Sequence, residues 1–286
     1  MSYKTILVHA DQSRHADERV RVAARLALSE GAHLVGTAMT GISRYMYQDS
    51  SIDLTRTVVA MHMDALYQRD SDSLTRYEEP AAAVGVPPCE RRPGDDAPEG
   101  ALAMQSRYAD VVVVSQSDPD DPPARLAPRL PEYVMLNSAR PVLVVPYSGS
   151  FEKVGENVLV AWDASMEATR AVTNAIPVLK RARHVTIAVF NPSPLDAHGE
   201  QPGADIALYL ARHGVNIEVS LQQSGIDIGN AMLSMAADRN CDLIVMGRRG
   251  LRRLERVMMG SVTARVIGHA DRDVLARAAG GAGAQD

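Results

Sequence analysis

Two hydrophobic patterns alternate along the chain. Short apolar runs, such as Ile6-Leu7-Val8, Val111 to Val114, Val142 to Val145, Val158-Leu159-Val160 and Leu243 to Met246, are bounded by polar or turn-forming residues. Runs without a polar face suit strands buried on both sides, hence central and parallel. Between them lie longer stretches with helical spacing. In the first half, strands are expected near 4–9, 33–39, 86–92, 110–115 and 141–146, with helices over about 14–30, 50–83, 96–108 and 129–138. In the second half, strands are expected near 156–162, 184–190, 215–221, 241–246 and 272–277, with helices at about 165–181, 203–213, 226–239 and 259–269. This alternation predicts an α/β, doubly wound sheet with right-handed crossovers. Ligands of such sheets bind beyond the carboxyl ends of the central strands, where the strand order reverses.

The pattern occurs twice. Lys4-Thr5-Ile6-Leu7-Val8-His9-Ala10-Asp11-Gln12-Ser13 aligns with Glu156-Asn157-Val158-Leu159-Val160-Ala161-Trp162-Asp163-Ala164-Ser165. Tyr108-Ala109-Asp110 followed by Val111 to Ser115 aligns with Asn240-Cys241-Asp242 followed by Leu243 to Gly247, and Ser138-Ala139-Arg140-Pro141-Val142-Leu143 with Ala270-Asp271-Arg272-Asp273-Val274-Leu275. Three matched segments in one order mark a tandem duplication. The turn-rich stretch Pro146 to Ser150 marks the seam, dividing the chain into domains 1–148 and 149–286.

Composition narrows the class. Only 12 of 286 residues are aromatic, so the core is built from aliphatic residues and Met. A formal charge of −5 argues against a surface built for DNA or anionic membrane. The two cysteines, Cys89 and Cys241, form no CxxC pair, which excludes a disulfide scaffold and points to a reducing cytoplasm. No secretory leader is visible at the start, and no apolar run approaches the ~20 residues that span a bilayer.

Candidate chemistry gathers at the strand ends of the second half. The fourth strand runs into Gly247, Gly250 and, after a basic stretch, Gly260-Ser261, a G-x2-G-x9-G-S spacing. Glycines there let backbone amides approach a phosphate, and Gly260-Ser261 falls where a helix is expected to start. Arg248 is one of five arginines between Gly247 and Ser261, a local +4 that suits a polyphosphate. Taken singly, each feature reads as turn chemistry, a helix start or a solvated face; their order at one strand end favours a site. Asp163 sits at the end of the first strand of this half, where its carboxylate can accept from a ribose or adenine, and backbone near Ala161 and Trp162 lines the same crevice. Asp163 or Ser165 equally suits a helix cap.

Asp242-Leu243-Ile244-Val245-Met246-Gly247-x-x-Gly250, then Gly260-Ser261-Val262-Thr263-x-x-Val266-Ile267, resembles the nucleotide-binding signature of the universal stress protein family. Val158-Leu159-Val160-Ala161-Trp162-Asp163-x-Ser165-x-Glu167 is similar to that family's opening strand and helix, and the resemblance covers nearly the whole chain as two copies. It implies tandem domains, each a five-stranded parallel sheet of order about 3-2-1-4-5, with ATP or ADP as ligand. By that resemblance Asp163 and the backbone of Ala161 and Val189 hold adenosine. Gly247, Gly250, Gly260, Ser261 and Val262 hold the phosphates, and any Mg²⁺ binds through the phosphates rather than a protein cage.

The first half departs from the signature. Ser115 and Asp118 stand where the second half has Gly247 and Gly250, within a stretch of three Asp and three Pro that repels phosphate, and no Gly-Ser follows. Asp11 and Ser13 remain. This half is therefore expected to bind no nucleotide and to act as a structural or regulatory partner of the other. Its long helical region carries Val58, Val59, Met63 and Leu66, read as core packing or a dimer face. In the second half the last strand is mixed in polarity, Arg272-Asp273-Val274-Leu275-Ala276-Arg277. In the family this strand often forms the dimer contact; here it reads as a frayed or unpaired edge. The Gly280 to Gly283 tail is expected to be disordered.

Other chemistries find no support. There is no GxxxxGK[ST] run, no GxSxG elbow, and none of the eight histidines forms HExxH or a ligand cluster. No positioned general base is evident, so any ATP hydrolysis would be slow. The reading is a cytoplasmic protein that binds ATP or ADP through its second half as a regulatory ligand, with an unidentified protein partner, the two halves paired, and a homodimer left open. Its rivals are an assembly protein without nucleotide and a slow ATPase.

Overall fold

The computed structural model describes residues 2–41, 53–86, 89–118, 120–121, 129–192, 201–225, 227–247 and 273–277, of which 53–59 and 273–277 are described by backbone alone. In the N-terminal half β1 (Thr5–His9), α1 (Ala16–Glu30), β2 (His33–Met39), α2 (Asp53–Arg76), α3 (Glu78–Val84) and β3 (Glu90–Gly94) follow in turn. Then come α4 (Pro98–Gln105), a 3-10 turn (Ser106–Tyr108), β4 (Val111–Ser115), α5 (Leu130–Asn137) and β5 (Val142–Val145). The C-terminal half contains β6 (Asn157–Ala161), α6 (Met166–Arg181), β7 (His184–Phe190), α7 (Ala204–Arg212), β8 (Ile217–Gln222), α8 (Ile228–Asp238), β9 (Leu243–Gly247) and β10 (Asp273–Arg277). The helix expected at 259–269 and the Gly280 to Gly283 tail lie outside the described residues.

The strands form one sheet of order β3-β2-β1-β4-β5-β10-β9-β6-β7-β8. Each half is a parallel sheet of order 3-2-1-4-5, as the alternation predicts, and the two meet where β5 and β10 run antiparallel. This corrects the expectation of an unpaired last strand. β10 pairs with β9 in parallel and with β5 through Val274↔Val144, Leu275↔Leu143 and Ala276↔Val142. Ladder bonds are made by backbone groups, so mixed side-chain polarity does not prevent them once a partner edge is at hand.

The strands are buried on both faces because alternate side chains feed separate layers. Ile6 and Val8 join the core that also holds Val20 and Val172; Leu7 joins the other, with Leu102 and Met232. α1 ends at Gly31, whose φ of 61° is the left-handed conformation that glycine adopts freely. The aspartate just before the fourth strand of each half repeats one device. Asp110 accepts from the amides of Lys4 and Thr5 at 2.7 and 3.0 Å, and Asp242 accepts from Gly155 and Glu156 at 2.8 and 2.9 Å. Each carboxylate thereby pins the start of the first strand beside the fourth. Side chains also join the halves: the Tyr3 hydroxyl donates to Asn174 O at 2.6 Å, and Arg181 Nε to Glu30 Oε1 at 2.9 Å.

Two elements differ from expectation. β3 lies at Glu90–Gly94 rather than 86–92, an edge strand paired to β2 through Val35↔Glu90 to Met39↔Gly94. The expected helix 50–83 is two helices meeting at Tyr77, whose ring occupies the space above Gly36: a β-carbon there would come within 2.6 Å of the ring. Among the described residues, no helix is long and apolar enough to cross a membrane.

Candidate functional site

In both halves the first and fourth strands end side by side, at the point where the strand order reverses. In the C-terminal half Ala161 lies in register with Ala188 on β7 and Met246 on β9, and Trp162 N donates to Ala188 O at 2.9 Å. Val189, fully buried, and Gly247 are the next residues on β7 and β9. The fold thus brings Ala161, Trp162, Asp163, Val189 and Gly247 to one end of the sheet. Arg248, Gly250, Gly260, Ser261 and Val262 lie outside the described residues.

The turn after β6 is built by Asp163. Its Oδ1 accepts from the Ser165 amide at 3.0 Å and the Ser165 hydroxyl at 2.5 Å, with Ala164 held at a φ of 57°. Ser165 Oγ in turn accepts from Ala168 N at 3.2 Å and caps α6. Of the two cap candidates, Ser165 therefore bonds the helix and Asp163 holds Ser165 in place. The Asp163 side chain stays exposed at the mouth of the crevice. Gly247 has a packing reason the sequence does not reveal. A β-carbon there would lie 2.6 Å from the Glu167 carbonyl carbon and closer still to the Ala168 amide nitrogen. Only a glycine lets the end of β9 close onto the first turn of α6, so the crevice floor is backbone against a helix N-terminus.

The N-terminal crevice starts from the same turn. Asp11 Oδ1 accepts from the Ser13 amide at 3.0 Å and its hydroxyl at 2.5 Å. From there the two differ. Arg19, 2% exposed, donates through Nε to His9 O at 2.7 Å, through Nη1 to Ser115 Oγ at 2.9 Å and through Nη2 to Asp11 Oδ1 at 2.7 Å. The repeat places Ala171 at the position of Arg19, Gly247 at that of Ser115 and Ala161 at that of His9. An internal guanidinium thus ties together the two strand ends that the C-terminal half leaves as backbone. Burial opposes the charge on Asp11, but Arg19, His9 and the Ser13 hydroxyl outweigh it and hold the carboxyl below its usual range. Burial pushes the His9 imidazole down to about 4, Asp11 offsetting this only in part, so His9 is neutral at pH 7.

The loop after β4 is engaged as well. Asp118 Oδ2 lies 2.9 Å from His15 Nε2, and Asp121 Oδ2 accepts from Arg14 N at 2.9 Å. These carboxylates latch the loop onto the start of α1. Beyond them the crevice opens into a cavity of about 940 Å³, floored by Arg19 and walled by α2 through His62, Leu66, Asp70 and Ser73. Arg19, Asp70 and the latch were missed in the sequence. An arginine where the other copy has Ala171, in a helix otherwise rich in Val and Ala, was the available signal. Among the described residues no group of three or more His, Cys, Asp or Glu is placed to hold a metal ion.

Comparison with known proteins bears on the whole chain. The family model described as "Universal stress protein family" matches residues 2–146 and again 155–276. A universal stress protein from Archaeoglobus fulgidus is 18% identical, covers 96% of this chain and 95% of its own, and superposes with a TM-score of 0.71. A functionally unknown protein from Pseudomonas aeruginosa, 16% identical, covers 96% of this chain and 92% of its own at a TM-score of 0.53. At these identities the likeness is one of fold. A universal stress protein solved in complex with cAMP covers 52% of this chain and 100% of its own, at 23% identity and a TM-score of 0.37; the cyclic nucleotide is that protein's ligand. A comparison with curated proteins returns no match.

Proposed function

The chain belongs to the universal stress protein family in two tandem copies, and on that premise we propose that its C-terminal copy binds ATP or ADP as a regulatory ligand in a cytoplasmic stress response. One observation carries the choice of copy: the same Asp-x-Ser turn opens both crevices, but Arg19 fills the floor of one and only Ala171 and Gly247 stand at the matching positions of the other. In the C-terminal crevice the exposed Asp163 carboxylate is suited to accept from a ribose or adenine, with Ala161, Trp162 and Val189 beside it. Gly247 lies against the α6 N-terminus. Arg248, Gly250, Gly260, Ser261 and Val262 complete the phosphate side by their spacing, and Mg²⁺ would enter with the phosphates. The acidic latch around Asp118 and Asp121 disfavours a polyphosphate in the N-terminal copy.

Nucleotide binding would engage the arginine-rich segment and change a surface read by a protein partner. Pairing of β5 with β10 occupies the edge of each half inside the chain, so a homodimer would use another surface. Cys89 and Cys241 are not joined in a disulfide, which suits a reducing compartment. Nucleotide extracted from the freshly purified protein, and a melting temperature raised by ATP, are expected. Gly250→Asp should abolish both while leaving the unliganded melting temperature within a few degrees. Unchanged affinity in Gly250→Asp, or no nucleotide effect on the parent chain, would reject the assignment.

A further inference from the structure

The ten-stranded sheet ends in two edges, β3 and β8, and they are guarded unequally. A parallel ladder engages alternate residues of an edge strand with its neighbour and turns the backbone groups of the others outward. In β3 the register with β2, together with Thr40 N donating to Gly94 O, engages Glu90, Arg92 and Gly94 and leaves Arg91 and Pro93 facing out. Pro93 has no N–H to offer, and Arg91 is charged and paired with Glu78. Proline and charge at outward positions close an edge to further strands. In β8 the Val185 amide donates to Asn216 O at one end, and the Asn191 amide to Gln222 O at the other. With the register Val185↔Ile217 to Phe190↔Gln222, this engages Glu218, Ser220 and Gln222 with β7. The N–H and C=O groups of Ile217, Val219 and Leu221 are thereby turned outward, where they have no hydrogen-bond partner among the described residues.

The three outward residues of β8 are all aliphatic and, two positions apart, share one face. Val219 is 37% and Leu221 53% exposed, and α7, which packs on β8, adds the exposed Leu208 and Tyr209. No proline, lysine or arginine interrupts Ile217–Gln222. We propose that β8 is the contact by which two copies of this chain associate, the two strands running antiparallel about a two-fold axis at Val219. The strand is self-complementary in that register. Val219 opposes Val219 of the second copy and Ile217 opposes its Leu221, so outward groups meet outward groups and each opposed pair exchanges two N–H···O bonds. Directly opposed side chains lie on one face, so the aliphatic rows of the two copies merge. On the other face Glu218, held by Arg239 at 3.0 Å, opposes the Ser220 hydroxyl of the second copy, so no like charges are set opposite one another. The chain already joins its own halves by an antiparallel strand pair, β5 with β10. The contact through β8 does not depend on nucleotide in either half.

Sedimentation of the full chain without nucleotide, at concentrations up to about 100 µM, is the test, since a dimer fraction rises with protomer concentration. A dimer is expected, with the amides of Ile217, Val219 and Leu221 exchanging hydrogen more slowly as concentration rises. Val219→Pro removes an outward N–H, as Pro93 does in β3, and spares the ladder with β7. It should weaken dimerisation about tenfold or more, and Leu221→Lys, which sets a charge on the same edge, should do likewise. Tyr108→Ser, at a 74% exposed position of the other half, should leave the dimer unchanged. Melting curves identify any variant that fails to fold, and the remaining variant then decides. A monomeric parent chain, a dimer unweakened by a folded Val219→Pro or Leu221→Lys, or a loss in Tyr108→Ser equal to theirs would overturn the proposal.

Discussion

The two crevices of this chain began as copies and now solve the same geometric problem in different ways. Each must join the end of a first strand, the end of a fourth strand and the first turns of a helix. The C-terminal copy does it by close approach, with Gly247 laid against the backbone of Glu167 and Ala168. The N-terminal copy does it with side chains: Ser115 replaces the glycine, and Arg19 reaches across to His9, Ser115 and Asp11. Close approach sets a helix N-terminus beside the end of β9, which suits an anion. A bridging arginine consumes the acceptors, and its charge is cancelled before a ligand arrives. A few positions thus give the two strand ends different side-chain chemistry while the surrounding strand order stays identical.

The comparison can be broken most forcefully at Arg19. Arg19→Ala, the residue the other copy carries, strands the partly buried Asp11 carboxylate and leaves His9 O and Ser115 Oγ without their donor. A loss of about 3 kcal/mol is expected, read as a fall in the urea midpoint. The matching Ala171 supports no such network, so a cost under about 0.5 kcal/mol would show that Arg19 is not the tie between the strands.

Next in size is the pH response of His9. Its imidazole, lowered from 6.5 to about 4, takes up its proton more readily in the unfolded chain. The stability it contributes is complete above about pH 6.5 and is lost as pH falls toward 4. Between pH 7 and pH 5 that loss is about 2 kcal/mol. His9→Ala, copying Ala161, should flatten the stability profile over this interval relative to the parent, and an equally steep profile would contradict the buried neutral imidazole.

The smallest effect sharpens the comparison at the helix starts. Ser165→Ala removes the side-chain cap of α6 and should cost about 1 kcal/mol. α1 has no side-chain cap bond at its N-cap residue, so His15→Ala should cost only its contact with Asp118. Thermal melts of the two variants give the contrast.

Most of the architecture could be read from the chain because it rests on local signals. Aliphatic runs such as Val111 to Val114 admit little besides a buried parallel strand, and the repeated Asp-x-Ser betrays the duplication. β3 was displaced in the reading because Glu90-Arg91-Arg92-Pro93-Gly94 has no apolar alternation; its place is set by pairing with β2. The junction of β5 with β10 had no signature, since backbone ladders do not depend on the polarity of the residues that make them. At the site, Asp163 and Gly247 were legible as positions, but Gly247's packing against α6 depends on residues 80 positions away in sequence. Arg19 was overlooked because an arginine on an amphipathic helix ordinarily reads as solvated, and only its three partners across the strand ends give it another meaning.

A crystal of the full chain grown with excess ADP decides whether nucleotide enters the C-terminal crevice alone. The expected result is nucleotide density at the carboxyl ends of β6 and β9, one per chain, with Arg19 still bonded to Asp11 in the other half. Nucleotide in the crevice of β1 and β4, with Arg19 displaced, or in neither crevice, would contradict it.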